Sequence, residues 1–191
     1  MNTIRSFLAA ALLALPAAAA LAEPVTYSID GAHTKVWWEV RHFGTSTQRG
    51  RFDEMEGQIM IDREAHRGQV SISIATGSVS SGVPALDKIL RGSGFLSSDA
   101  YPTAYFVAEG ARFDGERLAA LRGEFTLRGV SRPLELASTR FACRRDEMLQ
   151  REVCGGDFVA EFKRSDFGST FGLPFVGDNV RLVIGIEGIR Q

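Results

Sequence analysis

The chain has 191 residues, with 22 basic and 23 acidic side chains and a formal net charge of −1. This balance, without a basic run, argues against a nucleic-acid partner and against an electrostatic grip on anionic lipid. Glycine is frequent, at 20 residues, and clusters of helix-forming residues are scarce after residue 22, so the composition favours β-structure with many tight turns.

The first 22 residues have the three parts of a secretory signal peptide. Arg5 supplies the positive charge, residues 7–15 are apolar, and Ala20-Leu21-Ala22 has the small-x-small pattern of a cleavage site. The alternative, an uncleaved anchor helix, is disfavoured because the apolar stretch is shorter than the ~20 residues that span a bilayer. We expect cleavage before Glu23, which leaves one exported domain over residues 23–191.

The exported part shows repeated alternation of apolar and polar side chains. In its first long run, Val36, Trp38, Val40 and His42 share one face of a strand. Comparable runs follow at 57–62, 70–75, 104–106, 123–128, 134–136, 158–162 and 180–186. Strands with one apolar and one polar face belong to antiparallel sheets. About eight such strands, without alternating helices, exclude a parallel α/β fold and predict an all-β sandwich or closed barrel.

One segment, residues 83–91, breaks the alternation. Its apolar residues Val83, Leu86, Ile89 and Leu90 have helical spacing, and Gly92 follows as a C-terminal stop. We expect a short helix inserted between strands, at a position suited to capping a barrel mouth.

The two cysteines, Cys143 and Cys154, flank a polar stretch between two β-like segments. In an oxidising compartment, an even pair at hairpin distance predicts a disulfide. A metal site is the alternative, but neither a CxxC spacing nor an adjacent histidine supports it.

Four polar side chains are candidates for chemistry. Asp30 and His33 share one turn, an arrangement that serves either a structural turn or an oriented catalytic or metal-binding histidine. His42 is expected to point inward, as a hydrogen-bonded core residue or as a ligand contact. Arg164 also lies on an inward face and needs a counter-charge, either an internal acid such as Asp166 or Asp30, or an anionic head group.

Motifs of common enzyme chemistry are absent from the sequence. It contains no G-x-S-x-G elbow, no HExxH, no phosphate loop and no GxGxxG fingerprint. The remaining candidate for function is apolar surface, since all but one of the 13 phenylalanines follow residue 22. Aromatic rings inside a barrel either fill it or line a space for one small ligand, and the spacing alone leaves both open.

Taken together, the motifs resemble the YceI family, in order and over nearly all of the exported chain. They are YSIDGAHT at 27–34, VxWxVxH at 36–42, GRF at 50–52, LD at 86–87 with FL at 95–96, YPTAYF at 101–106, GEFTLRGVSRP at 123–133, CG at 154–155, KRSDFG at 163–168 and VGDxV at 176–180. The resemblance implies a periplasmic or secreted, lipocalin-like antiparallel eight-stranded barrel with an inserted helix. It also implies binding of a polyisoprenoid or related amphiphile in an apolar channel, without catalytic activity, protein-bound metal or other cofactor.

The family further suggests an isoprenoid quinone as ligand, a cytochrome b561-type membrane protein as partner, and a homodimer. Inward apolar residues are the expected channel lining, and His42 and Arg164 are expected to meet a polar head group. The predicted lining is Val36, Trp38, Val40, Phe52, Ile59, Ile72, Leu86, Leu90, Phe95, Phe106, Phe125, Phe158, Phe162 and Leu182.

Two departures from the family pattern affect the channel. Trp38 is bulkier than the common Phe and would narrow or shorten it, and residues 169–175 are unusually aromatic. Two other hypotheses compete with a lipid carrier. One is an enzyme or metal protein that uses Asp30, His33 and His42, and the other is an accessory module for a membrane redox protein whose interior is filled by side chains.

Overall fold

The computed structural model describes residues 24–62, 65, 67–115 and 117–191. The predicted signal peptide, residues 1–22, lies outside the described residues. Within them, the chain forms eleven antiparallel strands in one sheet and a single α-helix. The elements are β1 (Val25–Ile29), β2 (Lys35–His42), β3 (Ser46–Phe52), β4 (Met55–Asp62), β5 (Arg67–Ala75), β6 (Val79–Ser80), α1 (Pro84–Arg91), β7 (Thr103–Asp114), β8 (Arg117–Leu127), β9 (Val130–Asp146), β10 (Arg151–Lys163) and β11 (Val176–Arg190).

The sheet closes on itself through its first strand. Strand β1 pairs with β4 on one side and with the end of β11 on the other, where Tyr27 lies opposite Arg190. The closed ring has the order β1, β4, β5, β7, β8, β9, β10 and β11. The predicted eight-stranded antiparallel barrel is therefore confirmed.

Strand β11 is long enough to extend the wall beyond this ring. Its second part pairs with β1, whereas its first part pairs with β2, so that β1 and β2 lie end to end along it. Strands β3 and β6 continue the sheet from β2. The wall therefore ends at β6, and α1 packs against β6 at this open edge.

The inserted helix begins at Pro84, one residue later than predicted, and ends at Arg91. Proline suits the first helical position because its missing N–H has no partner there in any case. The N–H of Gly92 donates to the carbonyl of Ile89 at 3.0 Å and closes the last turn, but Gly92 has a φ of −67° and is not left-handed. No helix in the described part of the chain has the length and apolarity needed to cross a bilayer.

The predicted disulfide is confirmed. Cys143 of β9 and Cys154 of β10 lie directly opposite each other in the ladder, with their Cα atoms 4.0 Å apart, and their sulfur atoms are bonded. Because both sulfurs are in the bridge, neither is a thiolate that could bind a metal.

Candidate ligand-binding site

The barrel interior contains two cavities rather than a filled core. One, of about 480 Å³, lies toward the β9–β10 hairpin and is bordered by Phe113, Phe141 and the disulfide; we call it the hairpin cavity. The other, of about 500 Å³, is bordered by Leu86 and Leu90 of α1; we call it the helix cavity. Each volume lies within the roughly 300–1,000 Å³ typical of small-molecule sites.

Four side chains border both cavities and define a neck between them: Val36, Ile74, Phe125 and Leu182. They come from β2, β5, β8 and β11, at inward positions of the strand alternation. All four are buried. The two cavities therefore lie end to end, and together they run from the hairpin to the helix.

All sixteen side chains predicted to meet a ligand border these cavities; that they contact a ligand stays a prediction. Ile59, Ile72, Phe106 and Phe158 lie in the hairpin cavity, Val36, Phe125 and Leu182 in the neck, and Trp38, Val40, His42, Phe52, Leu86, Leu90, Phe95, Phe162 and Arg164 in the helix cavity. Several, such as Ile72 and Phe162, are only half-buried. This partial exposure fits side chains that face an unfilled space.

Part of the hairpin cavity could not be predicted from strand alternation, because a β-bulge reverses the alternation in β7. In β7, Ala104, Phe106 and Ala108 point inward, but beyond an irregularity at residues 108–110 the inward residues are Ala111 and Phe113. A bulge adds one residue and so shifts the inward face from even to odd positions. Gly110 is a weak sequence signal for such a break.

Three phenyl rings form a compact cluster beside the neck. The ring centroids of Phe125, Phe162 and Phe167 lie 5.3–5.5 Å apart, with tilted or edge-to-face geometry. Phe167 is almost fully buried. Such pairs add stability beyond the burial of area. Phe125 and Phe162 of this cluster also border the helix cavity.

Arg164 is the one buried cation of the described residues, with 4% of its surface exposed. It lies in a 3-10 turn at the end of β10, and its three nitrogens donate to the carbonyls of Gly177, Ser169 and Val176 at 2.7–2.9 Å. Burial lowers the pKa of Arg164, and the nearby charge of Asp178 opposes that shift.

The two acids named as candidate partners of Arg164 do not pair with it. Neither Asp166 nor Asp30 forms an ion pair with it: Asp166 is exposed, and Asp30 binds His33 at the opposite end of β2. Backbone carbonyls satisfy the guanidinium instead, and Asp178 accepts hydrogen bonds from the N–H and hydroxyl of Ser165. Carbonyl groups of a loop carry no sequence signal, so the residues alone could not reveal this arrangement.

The two candidate histidines do not form one site. His33 is exposed and lies in the β1–β2 turn, where its Nδ1 is 2.8 Å from Oδ2 of Asp30. This hydrogen bond raises the pKa of His33 and lowers that of Asp30. His42 borders the helix cavity at the other end of β2. The eight residues of strand β2 lie between the turn of His33 and His42 and span roughly 25 Å, so the two histidines cannot share a metal ion or a reacting group.

The indole of Trp38 packs over a glycine of the facing strand β3. Trp38 lies opposite Gly50 in the β2–β3 ladder, and its indole ring covers Gly50 so closely that a Cβ atom there would collide with Cζ2. The bulkier residue thus extends over Gly50 rather than closing the helix cavity. Its Nε1–H is buried without a hydrogen-bond partner among the described residues.

A closed antiparallel barrel with an apolar two-cavity interior defines a class of small-ligand-binding proteins. The YceI-like domain family matches residues 27–188, and the chain belongs to this family. A UPF0312 protein of Shewanella denitrificans is 34% identical over 198 residues, which cover 100% of this chain and 98% of the relative. The YceI protein of Shigella flexneri is 29% identical over 190 residues, 98% of each chain.

Solved structures share the fold. The crystal structure of Burkholderia cenocepacia BcnA superposes with a TM-score of 0.73 at 20% identity and covers 83% of this chain and 98% of its own. A polyisoprenoid binding domain from Saccharophagus degradans superposes with a TM-score of 0.65 at 15% identity and covers 86% and 98%. At these identities the likeness establishes the architecture.

Proposed function

We propose that this protein is an exported lipid-binding barrel that holds a polyisoprenoid or a related amphiphile, such as an isoprenoid quinone. The observation that carries the proposal is the pair of apolar cavities joined at the neck. The polyisoprenoid binding domain with the same fold supports the ligand class. The hypothesis of a barrel filled by side chains loses its main premise, because the interior is not filled.

The energetics suit a long apolar chain. Each methylene moved from water into such a cavity contributes about 0.8 kcal/mol, so a prenyl tail gains affinity without specific polar contacts. The inner surface offers mainly aliphatic and aromatic side chains along its whole length. Arg41, His42, Gln48 and Arg164 border the helix cavity, whereas Arg67 is the charged side chain that borders the hairpin cavity among the described residues. We place the tail along the hairpin cavity and neck, and the head group beside His42 and Arg164 in the helix cavity.

The cellular setting is part of the proposal. Residues 1–22 direct export, and residues 23–191 act in the periplasm, where a Cys143–Cys154 bridge persists. The proposed role is that of a carrier or reservoir without catalytic activity. A cytochrome b561-type membrane protein and a second copy of the chain are partners to test by co-purification and by measuring the molar mass in solution.

Organic extraction of protein purified from its native host, followed by mass spectrometry, tests the ligand class directly. We expect one prenyl lipid per barrel. Recovery of no lipid, together with no uptake of added polyprenols or quinones, would refute the proposal.

Variants that fill one cavity test the site. Ile72 is half-buried and borders the hairpin cavity, whereas its neighbour Ser71 is exposed on the outer face. Ile72→Trp should lower the affinity for a long polyprenol at least ten-fold, and Ser71→Trp, the matched control, should leave it unchanged. Val40→Trp makes the same test in the helix cavity. Equal binding by both tryptophan variants of β5 would show that lipid does not occupy the interior.

A further inference from the structure

We propose that the helix end of the barrel docks on an anionic lipid bilayer, and that four exposed apolar side chains enter the membrane around the mouth of the helix cavity. We call these four, Phe43, Phe171, Phe175 and Ile89, the apolar rim. The inference rests on the proposed function, since it supplies the route by which a membrane lipid reaches the barrel.

The apolar rim consists of large side chains that folding leaves in water. Phe43, Phe171 and Phe175 are 59%, 63% and 60% exposed, and Ile89 of α1 is 55% exposed. Single exposed apolar residues need no explanation, but a contiguous group of them marks an interaction surface.

Contacts on the molecule connect the members of the apolar rim to the helix cavity. The rings of Phe43 and Phe175 stack with centroids 5.4 Å apart, and the N–H of Phe43 donates to the carbonyl of Phe175 at 2.6 Å. Phe43 also contacts the ring of His42, which borders the helix cavity. Phe171 and Ile89 border that cavity themselves. The rim and the mouth are therefore one surface.

The ring of Phe43 points outward from a backbone conformation that is unfavourable for a bulky residue. Phe43 has a φ of +50° in the β2–β3 turn, in the left-handed region that bulky residues rarely adopt. Backbone strain of this kind persists where the surrounding structure enforces it, and it is concentrated at functional sites. Here it presents an aromatic side chain to solvent beside a cavity mouth.

The charges near the rim fit an anionic surface. Arg41, Lys88 and Arg91 are exposed, and none forms an ion pair with a carboxylate in the described part of the chain. The carboxylate of α1, Asp87, accepts hydrogen bonds from the N–H and hydroxyl of Ser81 at 2.7 and 2.6 Å, and its negative charge also interacts with Arg91. Three basic side chains against this one carboxylate still leave a positive excess. The positive charges come from β2 and α1, which are far apart in the sequence. The near-neutral composition of the whole chain therefore gave no sign of them.

The opposite end of the barrel lacks this combination. Met148 and Leu149 are exposed at the β9–β10 hairpin, but they border neither cavity. The basic side chains there are partly neutralised, since Asp146 pairs with Arg144 and Glu152 with Arg190, while Arg145 and Arg151 bind the side chain of Gln150 and the carbonyl of Arg190. The difference between the two ends is that, among the described residues, only the helix end has exposed apolar side chains at a cavity. The helix end is therefore the membrane-facing end in this proposal.

Sedimentation of the mature protein with vesicles tests the docking. Vesicles of phosphatidylethanolamine and phosphatidylglycerol are compared with vesicles of phosphatidylcholine alone, at low and at physiological salt. We expect binding to the anionic vesicles that weakens with salt. Absence of binding to either composition would overturn the inference.

Three double variants locate the contact, and none of their residues borders a cavity. Phe43→Ser with Phe175→Ser should weaken vesicle binding at least ten-fold. Lys88→Glu with Arg91→Glu should also weaken it at least ten-fold, since each basic group at an anionic surface is worth roughly five-fold. Met148→Ser with Leu149→Ser is the matched control and should stay within two-fold. Loss of binding in the control, with retention in the other two, would overturn the inference.

Lipid uptake separates this inference from the proposed function. The Phe43/Phe175 variant should take up a polyprenol from ethanol solution as the wild type does, but should extract it from vesicles at least ten-fold more slowly. Equal extraction by both proteins would overturn the docking surface and leave the lipid-binding function standing. Vesicle binding by a wild type that takes up no lipid would support the docking surface and refute the proposed function.

Discussion

The guanidinium carbon of Arg164 lies 5.6 Å from the centroid of the Phe95 ring, so a buried cation packs over an aromatic wall of the helix cavity. A second arginine approaches the same residue from outside the cavity: Arg128 donates from Nη1 to the carbonyl of Phe95 at 2.7 Å and from Nε to that of Phe167 at 3.1 Å. The two arginines thus connect the segment after α1 to β8 and β10. The wall of the helix cavity is built from these long-range contacts.

Arg164→Lys should destabilise the protein although it keeps the charge. A lysine cannot satisfy three carbonyls in a fixed fork, and each lost hydrogen bond to a charged group costs about 1.5–3 kcal/mol. We expect the free energy of unfolding in urea to fall by at least ~2 kcal/mol. Arg132→Lys, at an exposed position, is the control and should change it by less than ~0.5 kcal/mol. Equal stability of the two variants would contradict the structural role of Arg164.

Gly50→Ala should displace the indole of Trp38. Overpacking of this kind costs about 1–3 kcal/mol, and the shift should alter the tryptophan emission spectrum. Gly77→Ala, where the new methyl group meets no atom within 4 Å, is the matched control. Trp38→Phe should restore only part of the lost stability in the Gly50→Ala background, because the new Cβ also lies 2.5 Å from the carbonyl oxygen of Ser80. An unchanged emission spectrum in Gly50→Ala would show that the indole does not cover this glycine.

The Asp30–His33 pair should stabilise the fold only in a window of mildly acidic pH. The raised pKa of His33 means that its contribution is present below the ordinary histidine pKa and is lost as the pH rises through the raised value. The lowered pKa of Asp30 means that its contribution is lost as the pH falls through the lowered value. The difference in Tm between wild type and His33→Ala should peak between these limits. Asp30→Asn should give the same profile, and a pH-independent difference would contradict the ion pair.

Removal of the Cys143–Cys154 bridge should lower the free energy of unfolding by about 3 kcal/mol, the chain-entropy estimate for a loop of this length. Urea titrations of the wild type with and without a reductant measure it. Cys143→Ser with Cys154→Ser should match the reduced wild type and should not respond to reductant. A reductant effect on this double variant would show that the loss has another cause.

The strands were predicted correctly from the sequence where one face of the strand is apolar and the other is polar. In β2 and β11 the inward residues Val36, Trp38, Leu182 and Ile184 are apolar and regularly spaced, because one face is in the interior and the other is in water. Strand β3 escaped prediction, since its residues STQRGRF show no such alternation. It becomes a strand because its backbone completes the hydrogen bonds of β2.

Strand alternation also predicted which side chains border the interior, but it could not predict whether that interior is filled. Inward apolar residues of a barrel border whatever space remains inside, so Ile72 and Phe125 could be chosen by alternation alone. Whether the space is filled depends on side-chain volumes across the whole barrel, which no local pattern contains. The rim also escaped prediction, because Phe43 and Phe175 meet only after two distant loops fold together.

The pairing of β1 with β11 has a consequence for when the barrel can form. The ladder joins Tyr27 to Arg190, two residues that are far apart in the sequence. Closure is therefore the most non-local step of folding, and such steps are the slow ones. Strand β11 must therefore reach β1 before the ring can close. Until then the apolar side chains that will line the two cavities stay exposed to water along an open sheet edge, and an open edge of this kind favours pairing with another chain.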